Sequence, residues 1–367
     1  MPFSIPPPRS RERKTRPELA DVTMILLLQL DGKLPNLALM RLAAHHRFKN
    51  DHVVLRRSGN LSAVEPHLGD PVWDQVYASL IFERTRPLAE RVRVVYPNAI
   101  VGGTGYDVGR SLEDIGVPSY GAMDYTDYPR WTSSLGFTQR GCRLRCSFCV
   151  VPAKEGRVRE EQTIDDLWRG DPWPRHLLLL DNDFFGQPHW DQRVQEIQAG
   201  RFKVSFNQGI NARMLTDETA AAIGSVDYRD DSMKAKRIYT AWDNQKDEVR
   251  LFKGLESLIK HGVKPSHIMV YILIGYWPGE THAGRDHRRK KLREFGCIPY
   301  PMPYTRTSEL VGFQRWVIGA YDKKVPWDDW CRARYQPSNL KLYDQISVLP
   351  LSAAAQPAAS ERPAGKS

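Results

Sequence analysis

The 367-residue chain, 41% hydrophobic and 10% aromatic, is long enough for two ordinary domains and apolar enough to bury their cores, which excludes wholesale disorder. Its 53 Lys and Arg against 43 Asp and Glu leave a formal net charge of +10, so polyanionic partners are admitted and acidic-protein behaviour is not. The longest apolar runs, at 24–30, 176–180 and 268–277, fall short of the roughly 20 residues a bilayer-spanning helix needs, so an integral helical membrane protein is excluded.

Residues 1–19 are rich in Pro and Arg, carry no apolar core of a secretory signal, and are expected to be a disordered basic tail on a cytoplasmic protein. Folding is expected to begin near residue 20. The run 24–30 predicts a buried strand, 35–48 a helix preceded by Pro35, and 52–57 a second strand. Further apolar runs at 72–82 and 91–109, the latter closing on glycines, extend the βα alternation to about residue 130 and predict a doubly wound, Rossmann-like domain over 20–130. Gly102-Gly103-Thr104-Gly105 reads either as a phosphate cradle or as a sharp turn after a strand.

The rhythm continues downstream. Strands are predicted at 135–139, 176–183, 203–209, 236–243, 267–276 and 297–304, with helices at 163–170, 216–224 and 247–262 between them. Six such units over 131–305 favour a partial (β/α)6 barrel with its site at the C-terminal ends of the strands. A C-terminal helical extension (306–350) and an Ala/Pro/Ser-rich tail (351–367), expected to be disordered, complete the chain.

Five cysteines, an odd number with three crowded into eight residues, argue against a disulfide framework. Cys142, Cys146 and Cys149 form a C-x3-C-x2-C loop directly after the first predicted barrel strand. Three thiolates suit an iron–sulfur cube with one iron left open, whereas structural zinc wants a fourth ligand, for which His176 is the candidate. Arg143 and Arg145 are expected to favour thiolates over thiols. A non-catalytic, zinc-stabilised nucleic-acid-binding protein is the alternative reading.

The triad, with Gly141 before it and Phe148 before the third cysteine, resembles the cluster motif of the radical S-adenosylmethionine (radical SAM) superfamily. The resemblance implies a [4Fe–4S] cluster on Cys142, Cys146 and Cys149 and SAM as the second cofactor. Reductive cleavage of SAM would give a 5′-deoxyadenosyl radical that abstracts a substrate hydrogen, fed by an external electron donor such as a flavodoxin or ferredoxin. It also implies SAM-binding roles around Phe148. Asp181, Asn182 and Asp183 stand where the family has a GGE-like element for the SAM amino group, with a helix cap or turn as the alternative use for them. Ser205, Asn207 and Gln208 would meet ribose hydroxyls, and Arg213 the SAM carboxylate. Ile274 and Gly275 approximate the adenine-binding strand, in which Tyr271 replaces a glycine. Trp242, Asp243 and Asn244 are candidates to face substrate.

The upstream domain resembles the Rossmann-like module of cobalamin-dependent radical SAM proteins through 35–46 and 101–107. Glu65-Pro-His67-Leu-Gly-Asp70 lacks the Asp-x-His-x-x-Gly pattern of the lower axial ligand, so cobalamin is not expected. Cys297 and Cys331 are candidate catalytic thiols or buried structural cysteines. Two segments concentrate the excess positive charge. Arg9, Arg11, Arg13, Lys14 and Arg16 lie in the tail, and Arg285, Arg288, Arg289, Lys290, Lys291 and Arg293 lie in 281–293. The second is expected to be either a solvated helix face or a phosphate-contacting patch, which makes a nucleic acid or nucleotide the substrate expectation.

Overall fold

The computed structural model describes residues 22–57, 59–121 and 123–334, so the expected tails at 1–19 and 351–367 and the end of the helical extension lie outside the described residues. Within them the chain forms two compact units, 22–210 with 222–236, and 211–221 with 237–334. Both are α/β with parallel sheets. No helix of the described residues is long and apolar enough to cross a membrane.

In the first unit, β1 (Met24–Gln29) is apolar on both faces because both are covered. It lies between β2 (His52–Arg57) and β3 (Gln75–Ser79), with β4 (Ile100–Gly102) beyond β3, all parallel. Helix α1 (Leu37–Phe48) starts where the Asn36 side chain accepts the Leu39 amide at 3.2 Å, and lays Leu39, Leu42 and Ala43 on Ile25, Leu27 and Tyr77. Helix α2 (Arg86–Val95) lays Leu88, Ala89 and Val92 on the opposite face, against Leu26, Leu28 and Val76. This is the doubly wound layer the sequence predicts. The glycine turn after β4 resolves as backbone packing: a Cβ on Gly103 would overlap the Leu80 carbonyl, and one on Gly105 would lie 2.5 Å from the Phe82 carbonyl carbon.

The same unit holds a second parallel sheet in the order β10 (Asp227–Tyr228), β9 (Lys203–Phe206), β8 (His176–Leu179), β5 (Ser134–Gly136). Side chains alternate across it. Leu135 and Leu178 meet Met40 on the far side of α1, together with Tyr128 and Met233. On the other face Gly136 is so close to α4 (Ile164–Leu167) that a Cβ would lie 2.5 Å from Leu167. Helix α5 (Trp190–Ala199) buries Val194 and Ile197. Helix α1 therefore contributes to the cores of both sheets.

The strand predicted at 135–139 ends at Gly136. Beyond it the backbone leaves the ladder, because the Gln139 amide donates to the Asp181 carboxylate and the Thr138 carbonyl accepts from Glu161. The chain continues as a ribbon of β6 (Gln139–Arg140) antiparallel to β7 (Arg159–Glu160), enclosing the cysteine loop and the short helix α3 (Val151–Lys154).

The second unit is built on the parallel sheet β11 (Ile238–Ala241), β12 (Ile268–Ile274), β13 (Ile298–Pro303). It carries α7 (Glu248–Lys260), α8 (His282–Glu294), α9 (Ser308–Ile318) and α10 (Trp327–Arg334), and α6 (Asp217–Ser225) spans the division of the chain. Ile238, Val270, Ile272 and Ile274 are fully buried, as are Leu251, Leu255, Leu258 and Leu292.

Candidate metal centre

The loop 141–149 leaves the C-terminal end of the β5–β8–β9 sheet, and three features of the sequence hold it there. Gly141 has φ +80°, and a Cβ on it would overlap the Arg157 carbonyl, so no other residue fits without strain. Its amide donates to Glu155 Oε2 at 3.0 Å, and the same oxygen accepts Asn182 Nδ2 at 2.9 Å. Asp183, 3% exposed at its side chain, takes Arg143 in a two-pronged pair, Nε at 2.7 Å and Nη2 at 2.9 Å, and also accepts the Arg143 amide at 3.0 Å. Gly186 lies against this pair, where a Cβ would overlap the Asp183 carboxylate and stand 2.9 Å from Arg143 Nε.

The cysteines themselves are half-buried and unpaired by disulfide. Leu144 N points at Cys142 Sγ (3.4 Å), and a turn brings the Cys149 amide to the Cys146 carbonyl at 3.0 Å. Burial first, then the charges of Asp183, Cys146 and Cys149, pushes the Cys142 thiol up to about 11. Arg143, paired with Asp183, still attracts the Cys142 thiolate, but burial outweighs it and the net shift is upward. Among the described residues no three His, Cys, Asp or Glu side chains stand as a preformed ligand set. The donor chemistry nevertheless fits a cluster, for three soft sulfurs share one loop and repel one another as thiolates until a cation lies among them. It does not fit zinc completed by His176. That residue opens β8 while the loop is fastened beyond its far end, seven residues on, a separation on the order of 20 Å.

The three acidic-segment residues behave differently from one another. Asn182 and Asp183 brace the loop. Asp181 is buried, with Oδ1 accepting Thr138 Oγ1 at 2.8 Å and the Gln139 amide at 2.5 Å while Oδ2 has no partner, and burial raises its carboxyl to about 7. Both ends of the fully buried Gln139 amide and the Ser205 hydroxyl are likewise without partners, as are Nε and Nη2 of the buried Arg41 on α1. These orphaned atoms lie on β6 (Gln139), after β8 (Asp181), on β9 (Ser205) and on α1 (Arg41), and the spacing of the sequence singles out none of Gln139, Glu155, Gly186 and Arg41. Only the structure shows that Gln139 and Arg41 are buried and that Glu155 and Gly186 meet the cysteine loop. Phe148 and Asn207 are half-buried, and Gln208 is exposed.

In the second unit, Arg213 is taken by Asp247 (2.6 Å) and Asn211 (3.1 Å). Gly275, with φ +75° at the end of β12, donates its amide to Glu280 at 2.5 Å, and Ile274 is fully buried. Trp242 is core, packed edge-on against Phe252, so it does not face substrate, and Asn244 caps the turn before α7 by accepting the Lys246 amide. Asp243 remains half-buried, its carboxyl raised by burial against the pull of Arg213 and Arg288. Burial pushes the Cys297 thiol up to about 12 and raises that of Cys331, opposite to the direction an activated nucleophile requires.

The basic segment divides: Arg285, Arg288 and Arg289 are buried, while Lys290 and Lys291 are exposed. On α8, Arg285 pairs with Glu280 and Glu309, and Arg288 with Glu280. Arg289 and Arg293 share Asp322, Lys290 takes Asp286, and Lys291 takes Glu248. Each of the six cations has a carboxylate partner inside the unit.

The C-terminal end of the β2–β1–β3–β4 sheet is occupied by the protein's own side chains. Tyr128 donates to Gln29 Oε1 (2.9 Å) and accepts the Asn36 amide (3.2 Å), while Asn36 Nδ2 reaches Ser79 Oγ (2.9 Å), all at the C-terminal ends of β1 and β3. His67 is used locally, its ring on the Ser62 carbonyl and its amide on Asp70.

No protein-family model and no curated protein matches the chain.

Proposed function

We propose that the chain is a radical SAM enzyme whose Cys142, Cys146 and Cys149 hold a [4Fe–4S] cluster, with the strands of 131–305 serving as its partial barrel. When bound, the cluster supplies the electron that splits SAM reductively and so generates a substrate radical. The observation that carries this reading is a loop bearing three thiols within eight residues, fastened by its backbone to the C-terminal end of a parallel sheet. The protein's own residues hold the loop (Glu155, Asp183), set its entry (Gly141), and offer unpartnered buried polar atoms (Asp181 Oδ2, Gln139, Ser205) on the adjoining strands. Those atoms are suited to a polar ligand, and SAM is the ligand proposed. A low-potential flavodoxin or ferredoxin is the proposed donor. A nucleic acid or nucleotide stays the substrate class to test, resting now on the basic residues of 9–16, since those of 285–293 are paired internally.

Anaerobic reconstitution with iron, sulfide and a reductant tests the reading. Four irons per chain and release of 5′-deoxyadenosine from SAM are expected, both abolished by Cys→Ala at the three positions. Bound zinc, or no 5′-deoxyadenosine from iron-loaded protein, overturns it.

A further inference from the structure

Two carboxylates that are not metal ligands grip the loop from opposite sides. Glu155, 8% exposed at its side chain, ties the amide before Cys142 to the segment after β8 through Asn182. Asp183 holds the residue after Cys142 by backbone and guanidinium at once, and Gly186 leaves only enough room for that pair. Cys142 is therefore flanked on both sides by amides donated to buried carboxylates. Cys146 and Cys149 share a turn in which the Cys149 amide donates to the Cys146 carbonyl.

We propose that Asp183 and Glu155 are positioning residues that fix Cys142 before the metal arrives, and that Gly186 is small in order to admit the Asp183–Arg143 pair. The proposal rests on the cluster reading for its purpose, though its geometry belongs to the apo-protein. Both oxygens of Asp183 are engaged by Arg143, a bracing use beside the SAM-amino-group role that the resemblance implies for it.

The test uses the full chain, prepared anaerobically and metal-free. Alkylation of each cysteine by iodoacetamide is followed by mass spectrometry for wild type, Asp183→Asn, Glu155→Gln, Arg143→Lys and Gly186→Ala. Amide exchange of Leu177 and Leu178 on β8 serves as the control for general loosening. Iron retention against a chelator is then measured on reconstituted protein. In Asp183→Asn and Gly186→Ala, alkylation at Cys142 is expected to rise about 10- to 100-fold and iron to leave faster by a similar factor, with β8 exchange unchanged. Arg143→Lys, which keeps the charge and loses the two-pronged geometry, is expected to fall between. Unchanged Cys142 reactivity in both Asp183→Asn and Gly186→Ala overturns the proposal, as does acceleration only in step with β8 exchange. If wild type takes up no iron, the cluster reading fails while the alkylation result still decides the clamp.

Discussion

At Asp181 a single buried carboxyl links the site to pH. Its folded-state value near 7 lies above the ordinary 3.8, so between those limits the folded protein binds a proton that the unfolded chain releases. Stability contributed by the protonated form is full below about pH 4, declines as pH rises, and is gone above about 7. Asp181→Asn keeps the acceptor for Thr138 and Gln139 and removes the titration. The stability difference between wild type and this variant is thus expected to shift against wild type by up to about 4 kcal/mol between pH 4 and pH 7.5, read from urea midpoints. Gly141 is the other residue with a sharp consequence. Gly141→Ala forces a Cβ into the left-handed region against the Arg157 carbonyl, at roughly 1–3 kcal/mol of backbone strain before the overlap is counted. Lower thermal stability and reduced iron per chain, measured together, are the expected result.

At the scale of elements, the basic helix shows what sequence can and cannot say. A solvated helix face was one of the two readings of 281–293, and a helix is there, capped by Thr281 accepting the Gly284 amide. The partners lie at Glu248, Glu280, Glu309 and Asp322, up to some forty residues away in sequence, and no local rule names them. Asp322 is the most committed of them, with no accessible side-chain surface and two guanidiniums on it. Asp322→Ala strands Arg289 and Arg293 in a buried setting and is expected to cost roughly 3–5 kcal/mol in denaturant unfolding. Strands with strong apolar runs (β1, β8, β12) were legible because burial on both faces leaves an unbroken apolar run, as burial on one face of a helix leaves a 3.6-residue period. The break after Gly136 was not, because it depends on Asp181 capturing the Gln139 amide across forty-two residues. The cysteine loop was legible as spacing. Its braces, Glu155 and Gly186, are ordinary residues until their neighbours are known.

For the whole molecule, the order of the chain and the order of its cores do not coincide. Met40 on α1, from the first sheet's wrapping, is fully buried among Leu135, Leu178, Tyr128 and Met233 of the segment that follows. The two sheets of the first unit therefore share a helix, and the shared helix couples their fates. Residues 22–130 are not a detachable module: cutting the chain there would leave Leu135 and Leu178 facing water and the remaining piece prone to self-association. Met40→Ala, expected to cost about 2–5 kcal/mol, should speed hydrogen exchange in β1 and β8 by the same factor. If only one strand responded, the two sheets would be opening separately. A common response would make residues 22–210 one cooperative foldon, in which a fluctuation of the upstream strands is also a fluctuation at the root of the cysteine loop.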